Sequence, residues 1–131
     1  MAHSVSTFLM FTGQAEAAMQ FYQSLFPGAT IRGLQRWAAG EAGPAGQVKQ
    51  AELELQGHRL RCFDSPPVHD FTFTPAVSLF VECESEAELD AVFARLADGG
   101  QVLMPLGAYG FSRKFGWTND RFGVSWQLNL A

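Results

Sequence analysis

Few side chains in this chain are of the kinds that do chemistry unaided, and their spacing narrows the choice further. His3 falls in the N-terminal tail, His58 follows Gly57 in a tight turn, and His69 lies just past Pro66-Pro67. Their spacing matches no metal-ligand motif, so each is expected to be an exposed loop histidine. Cys62 and Cys83 form no C-x-x-C pair. Cys62 could be nucleophilic if Arg59 or Arg61 lowered its pKa; the competing expectation is a buried structural cysteine. No G-x-S-x-G elbow and no Ser-His-Asp order is present, which leaves hydrolase chemistry without a basis. The other candidates are binding groups. Gly107 to Trp117 interleaves Tyr109, Phe111, Phe115 and Trp117 with Arg113 and Lys114. Such rings can stack on a planar ligand, and such cations can hold a carboxylate or phosphate. The same stretch could be a hairpin that packs its rings and solvates its charges. The C-terminal run alternates: Val124, Trp126, Leu128 and Leu130 share one face, and Ser125, Gln127 and Asn129 the other. The apolar face is expected in the core. Ser125 and Gln127 would then either offer hydrogen bonds to a ligand or line a wet, solvent-facing strand. Asp120, just before Arg121-Phe122-Gly123, suits a turn in which its carboxylate accepts from nearby backbone N–H groups.

The elements that must position these groups occur twice. Gln14 to Phe26 places Ala18, Phe21, Tyr22 and Leu25 on one helical face, and Pro27-Gly28 ends it. Ser85 to Asp98 repeats the design with Leu89, Val92, Phe93 and Leu96, opened by a Ser85/Glu88 capping box and closed by Gly99-Gly100. Strand-like runs precede the helices, at Ser6 to Thr12 and Ala76 to Cys83. After the first helix come Thr30 to Trp37, Val48 to Leu55 and Arg59 to Asp64; after the second come Gln101 to Leu106, Phe111 to Trp117 and Val124 to Leu130. Superposing the helical faces shifts the chain by 71 residues and sets Thr7 opposite Ser78. The expected fold is therefore α+β, with two βαβββ modules at about 5–64 and 75–131. A linker at 65–74 joins them within a single domain, 1–131. Together they would form a curved mixed sheet with the helices on its outer face and a cleft within. Ala38 to Gly46 is expected as a flexible hairpin loop.

Composition bounds the partners. The length of 131 residues fits one domain, and 47% hydrophobic with 17% charged residues is ordinary for a globular chain. Twelve Phe and three Trp point to aromatic packing or an aromatic pocket. A net charge of -4 opposes nucleic acid as a partner, since phosphate binding needs a basic surface. No apolar run approaches the roughly 18 residues of a membrane span, and no basic-then-apolar leader opens the chain. A cytoplasmic location with reduced thiols is expected.

Three motifs carry a family resemblance. They are A-E-A-A-M-Q-F-Y-Q-S-L-F-P-G-A (Ala15 to Ala29), F-T-F-T-P-A-V-S-L-F-V (Phe71 to Val81) and G-W-T-N-D-R-F-G-V-S-W-Q-L (Gly116 to Leu128). The chain resembles the vicinal oxygen chelate (glyoxalase, bleomycin-resistance and dioxygenase) superfamily. Within it, the likeness is to the PhnB-like branch and its "3-demethylubiquinone-9 3-methyltransferase domain" group. The resemblance implies the glyoxalase/bleomycin-resistance fold and frequent dimers. In metal-dependent members it implies a divalent ion held by His, Gln and Glu from four strands. Carried over, those places fall on Thr7, on Ser78 (Ala76 if the register slips by two), on Arg61 or Cys62, and on Gln127. None is a histidine or a carboxylate, so no tightly bound metal and no cofactor is expected. The group label implies methyl transfer, but the Gly-rich stretch Gly40 to Gly46 contains Pro44 and opens no helix, so a site for S-adenosylmethionine is not expected.

The expectation is a homodimeric protein binding a small molecule in a metal-free cleft. Thr7, Cys62, Ser78, Tyr109, Arg113, Phe115, Trp117, Ser125 and Gln127 are the candidate contacts. The alternative is a lyase, isomerase or dioxygenase with a non-standard ligand set that includes Gln127 and Cys62. A third possibility is a chain whose main role is dimeric association. Whether the chain is catalytic is left open.

Overall fold

The structure, a computed structural model, describes residues 1–131. They fall into two compact units, residues 1–72 and 73–131. The first unit runs β1 (Thr7–Phe11), α1 (Ala15–Leu25), β2 (Thr30–Arg36), β3 (Val48–Leu55) and β4 (His58–Asp64). Its sheet order is β1-β4-β3-β2, with β1 parallel to β4 and the other pairs antiparallel. The second unit repeats this plan with β5 (Leu79–Glu82), α2 (Glu86–Ala97), β6 (Gln101–Gly107), β7 (Lys114–Asn119) and β8 (Ser125–Leu130). Its order is β5-β8-β7-β6, again with one parallel pair, β5 and β8. The α+β fold of two βαβββ modules is thus present, as two four-stranded hydrogen-bonded sheets.

Each helix covers one face of its own sheet. On α1 the buried residues are Ala15, Ala18, Met19, Tyr22 and Leu25; on α2 they are Leu89, Val92, Phe93 and Leu96. Alternate strand residues meet them: Leu9, Phe11, Leu53, Leu60 and Cys62 in the first sheet, and Trp126, Leu128 and Leu130 in the second, all buried. Gly116 shows how close α2 lies, because a Cβ there would stand 2.6 Å from the Phe93 ring and 2.7 Å from Leu106. The hairpin between β3 and β4 turns on Gln56 (φ 48°) and Gly57 (φ 81°), two positive values that match a type I′ turn and the twist of its strands.

The two helices begin differently. Ser85 Oγ accepts from the backbone N–H of Glu88 at 3.1 Å, and Glu88 reaches back to accept from the N–H of Glu84 at 2.9 Å. Gln14, at the corresponding place in α1, provides no side-chain cap. Asp64 at the end of β4 does this instead. Its Oδ1 accepts from Gly13 N–H at 2.7 Å and Ala15 N–H at 3.0 Å, and its Oδ2 from Val48 N–H at 2.9 Å.

Two strands start well after the point the sequence pattern predicts. Pro75 to Ser78 is turn and extended chain, so β5 starts only at Leu79. Residues 108 to 113 form a loop, with Gly110 at φ 94°, so Phe111 precedes β7 instead of opening it.

Candidate ligand-binding faces

With one face of each sheet under a helix, the opposite, open face is where strand side chains can meet a ligand. In the second unit it carries Ser78, Phe80 and Glu82, Phe115, Trp117 and Asn119, and Ser125, Gln127 and Asn129. The register aligns these as Phe80 with Gln127, Glu82 with Asn129, Phe115 with Asn129 and Trp117 with Gln127. The polar groups answer one another. Gln127 Nε2 donates to Ser78 Oγ at 2.7 Å, Trp117 Nε1 to Ser125 Oγ at 2.8 Å, and Asn129 Nδ2 to Glu82 Oε2 at 3.0 Å. Asn119 Oδ1, Asn129 Oδ1 and Ser112 Oγ are buried and have no partner.

Beside this face the loop before β7 stacks Tyr109 on Phe111 (centroids 6.2 Å apart) and sets both edge-on to Phe115, at 6.1 and 5.0 Å. Tyr109 and Phe111 are exposed, whereas Phe115 is buried. The two cations of the segment part company. Arg113 Nε donates to the Ala131 carbonyl oxygen at 2.6 Å. Lys114 lies on the helix face, where Asp90 (2.7 Å) and Glu86 (3.0 Å) hold its ammonium and raise its pKa, Asp90 the more. Lys114 therefore points away from the face where a ligand would be gripped.

In the first unit the open face holds Phe8 and Met10 from β1, Arg59, Arg61 and Phe63 from β4, Gln50, Glu52 and Glu54 from β3, and Arg32 from β2. A hollow of about 270 Å³ is lined there by residues including Phe8, Arg32, Gln50, Glu52, Arg61 and Phe63. Sequence reasoning passed over all of these except Arg61. The signal was available in R-L-R-C-F (Arg59 to Phe63), where buried Leu60 and Cys62 alternate with outward Arg59, Arg61 and Phe63.

Thr7 and Cys62 do not belong to that face. Thr7 shares the side of Leu9 and Phe11 in the strand pleat, and its Oγ1 lies 3.0 Å from His58 Nε2. The 71-residue shift superposes buried helix positions, Ala18 on Leu89 and Tyr22 on Phe93. The helix-facing strand residues are odd-numbered in both β1 (Leu9, Phe11) and β5 (Leu79, Val81), so an odd shift lays inward positions on outward ones. Thr7 and Ser78 consequently occupy opposite sides of their sheets. Ala76 lies in the turn before β5. Cys62 is 1% exposed, and its thiol pKa is pushed up to about 12, first by burial and then by the charge of Asp64. A thiolate nucleophile is therefore unavailable there near neutrality. Cys83 is likewise raised, to about 11, by burial and then by Glu88 and Glu82.

Asp120 is a structural group. Its Oδ1 accepts from Phe122 N–H (2.8 Å) and Val124 N–H (3.0 Å), Oδ2 accepts from Trp126 Nε1 (2.9 Å), and Gly123 takes φ 90°. The D-R-F-G-V-S-W-Q motif thus encodes a turn that anchors the core tryptophan.

The family model for 3-demethylubiquinone-9 3-methyltransferase matches residues 3–129. The chain belongs to this PhnB-like family. A Bacillus cereus PhnB protein carrying the same methyltransferase description is 53% identical, with 98% of this chain and all of that chain covered and a TM-score of 0.94. A Pseudomonas aeruginosa protein is 28% identical over 98% of both chains, with a TM-score of 0.84. A glyoxylase/bleomycin resistance protein/dioxygenase domain from a Frankia species shares the fold at 18% identity, with a TM-score of 0.64 over all of this chain and 98% of that one. No curated protein matches the sequence. For a PhnB-like chain, the candidate surfaces are then the open sheet faces just described. No helix in it is long and apolar enough to cross a membrane.

Proposed function

We propose that this PhnB-like chain binds a small organic molecule on its open sheet faces and holds it directly, without a bridging metal ion. The observation that carries this reading is the chemistry of the second open face. Gln127 and Ser78, where the family resemblance puts metal ligands, are neutral and hydrogen-bonded to each other at 2.7 Å. Around them stand Phe80, Phe115 and Trp117, with two buried carboxamide oxygens, of Asn119 and Asn129, that lack donors. Buried acceptors without partners cost stability, and a ligand N–H or O–H that could reach them would supply what they lack.

The donor set does not suit a divalent ion. No three His, Cys, Asp or Glu side chains gather into a group that could hold one. In the alternative metal-dependent reading, Cys62 would be a ligand, yet it is buried on the helix face of its sheet. Methyl transfer lacks a supporting feature as well, because the Gly-rich stretch at 40–46 leads into strand β3 and opens no helix. The ligand contacts assigned here are Ser78, Trp117 and Gln127, with Tyr109 and Phe111 bordering them; Phe115 and Ser125, expected as contacts, are buried, and Ser125 Oγ instead accepts from Trp117 Nε1. A cytoplasmic homodimer is the setting proposed for them.

The test is a thermal-shift screen of the full chain against aromatic and polar small molecules, with a chelator present throughout. A ligand that binds only the folded state raises the melting temperature by mass action. Compounds that raise it in wild type but less in Gln127→Ala are expected. A screen in which no compound shifts the midpoint, or shifts it only when metal is added back, would remove the basis for this reading.

A further inference from the structure

We infer that the hollow on the open face of the first sheet is a binding site for a small planar carboxylate, gripped by Arg61 and stacked on Phe8. The inference rests on the proposed ligand-binding function and gives the first unit's face a stated chemistry.

Charge is the first argument. The chain carries a net charge of -4, yet this face sets three arginines (Arg32, Arg59, Arg61) against two glutamates (Glu52, Glu54). The glutamates are taken: Glu54 pairs with Arg32 at 3.2 Å, and Glu52 with Arg59 at 3.8 Å. Arg61 stands between Phe8 on β1 and Glu52 on β3 in the register and makes no ion pair. A guanidinium left over in a hollow is a ready fork for two carboxylate oxygens.

Shape and apolar surface are the second argument. Phe8 is 60% exposed although it lies within β1, and its ring lies 5.0 Å from that of Phe63 with the planes tilted by 49°. An exposed ring beside a second aromatic offers apolar surface on which a planar ligand could stack. The hollow, at about 270 Å³, lies just under the roughly 300 Å³ at which drug-sized pockets begin, which suits a single-ring compound.

The backbone supplies a third. Between Arg32 and Gln35 the β2 strand spends one more residue than β3 does between Glu52 and Gln50, a bulge that falls at Gly33, with φ 60°. Bulges bend a strand and re-aim the side chain beside them. Here that side chain is Arg32, and Gly33 itself lines the hollow. Arg32, in an exposed pair that is cheap to exchange, can turn to a carboxylate held by Arg61.

The test is titration of the full chain with benzoate, followed by backbone amide NMR. Three comparison probes are cyclohexanecarboxylate (charged, not planar), benzamidinium (planar, opposite charge) and inorganic phosphate. Saturable benzoate shifts are expected at residues 8, 32, 61 and 63, with weaker binding of all three comparison probes. Arg61→Gln is expected to weaken benzoate about tenfold or more, the loss of a charge-assisted contact, and Arg61→Lys to recover only part of it. Both variants should melt as the wild type does, since Arg61 is exposed. Equal benzoate affinity in wild type and Arg61→Gln would overturn the assignment. So would benzamidinium or phosphate binding as tightly as benzoate. Shifts confined to residues 78, 115 and 127 would overturn this site while leaving the proposed function standing. Absence of any small-molecule binding, here and in the thermal screen, would remove both.

Discussion

Asp64 and Asp120 perform the same service in different ways, and the difference decides what a sequence can reveal about them. Asp120 bonds residues two, four and six positions away, so its role is legible in D-R-F-G-V-S-W-Q. Asp64 bonds Gly13 and Ala15, some fifty residues earlier in the chain, and no local pattern announces it. It is 1% exposed and satisfies three backbone donors. Asp64→Ala should strand all three, each worth about 1 kcal/mol or more, for a loss of ~3 kcal/mol or more in urea unfolding. The alternation of Ser125, Gln127 and Asn129 against Trp126 and Leu128 was equally open to inspection, because it needs only the two-residue period of a strand. Cys62 makes a prediction about pH. Its folded pKa of about 12 lies above the ordinary thiol value of 9.0, so the native state keeps a proton that the unfolded chain gives up. Its contribution to stability is whole below about pH 9 and is lost as pH rises toward about 12. Comparing unfolding free energies across that window, Cys62→Ala should show a shallower alkaline decline than the wild type. An identical slope would mean the thiol is not held protonated by burial.

At the scale of elements, both helices and most strands followed from periodicity and punctuation. The faces of β1 did not. Helical repeats tolerate an alignment by 3.6-residue turns, but a strand reverses its side chains with each single-residue step, so the shift that aligned α1 with α2 misassigned Thr7. The buried set Leu9 and Phe11 carries the correct answer, once the helix-facing side is known. The late starts of β5 and β7 escaped because Ala76 to Ser78 and Phe111 to Arg113 include a β-branched residue (Val77) and an aromatic (Phe111) that suit strands, and tertiary context keeps them as loop. Gly116 tests the α2 packing directly. A methyl group there must displace Phe93 or Leu106, so Gly116→Ala should cost about 1–3 kcal/mol by thermal or urea unfolding. Ser85→Ala, which removes a cap but no packing, should cost about 1 kcal/mol. If Ser85→Ala proved the more damaging, close helix–sheet approach at Gly116 would not be what holds the second unit together.

For the molecule as a whole, the sequence motifs and the fold agree on the PhnB-like family, and fold alone does not name a reaction. The chemistry of this chain lies in its open faces. One is built from amide, hydroxyl and aromatic groups, the other from arginines and phenylalanines around a hollow. Part of this could be read in the sequence, since the places implied by the resemblance hold no histidine and no carboxylate. The arginine-lined hollow could not, because it needs β2, β3, β4 and β1 side by side, and that order is set by long-range pairing. The most direct test of a metal-free ligand-binding protein is elemental analysis of the purified full chain. Less than about a tenth of an equivalent of any transition metal is expected, since a site without carboxylate or imidazole convergence lacks affinity. Close to one equivalent of a single metal per chain, retained through purification and lost in Gln127→Ala, would contradict it.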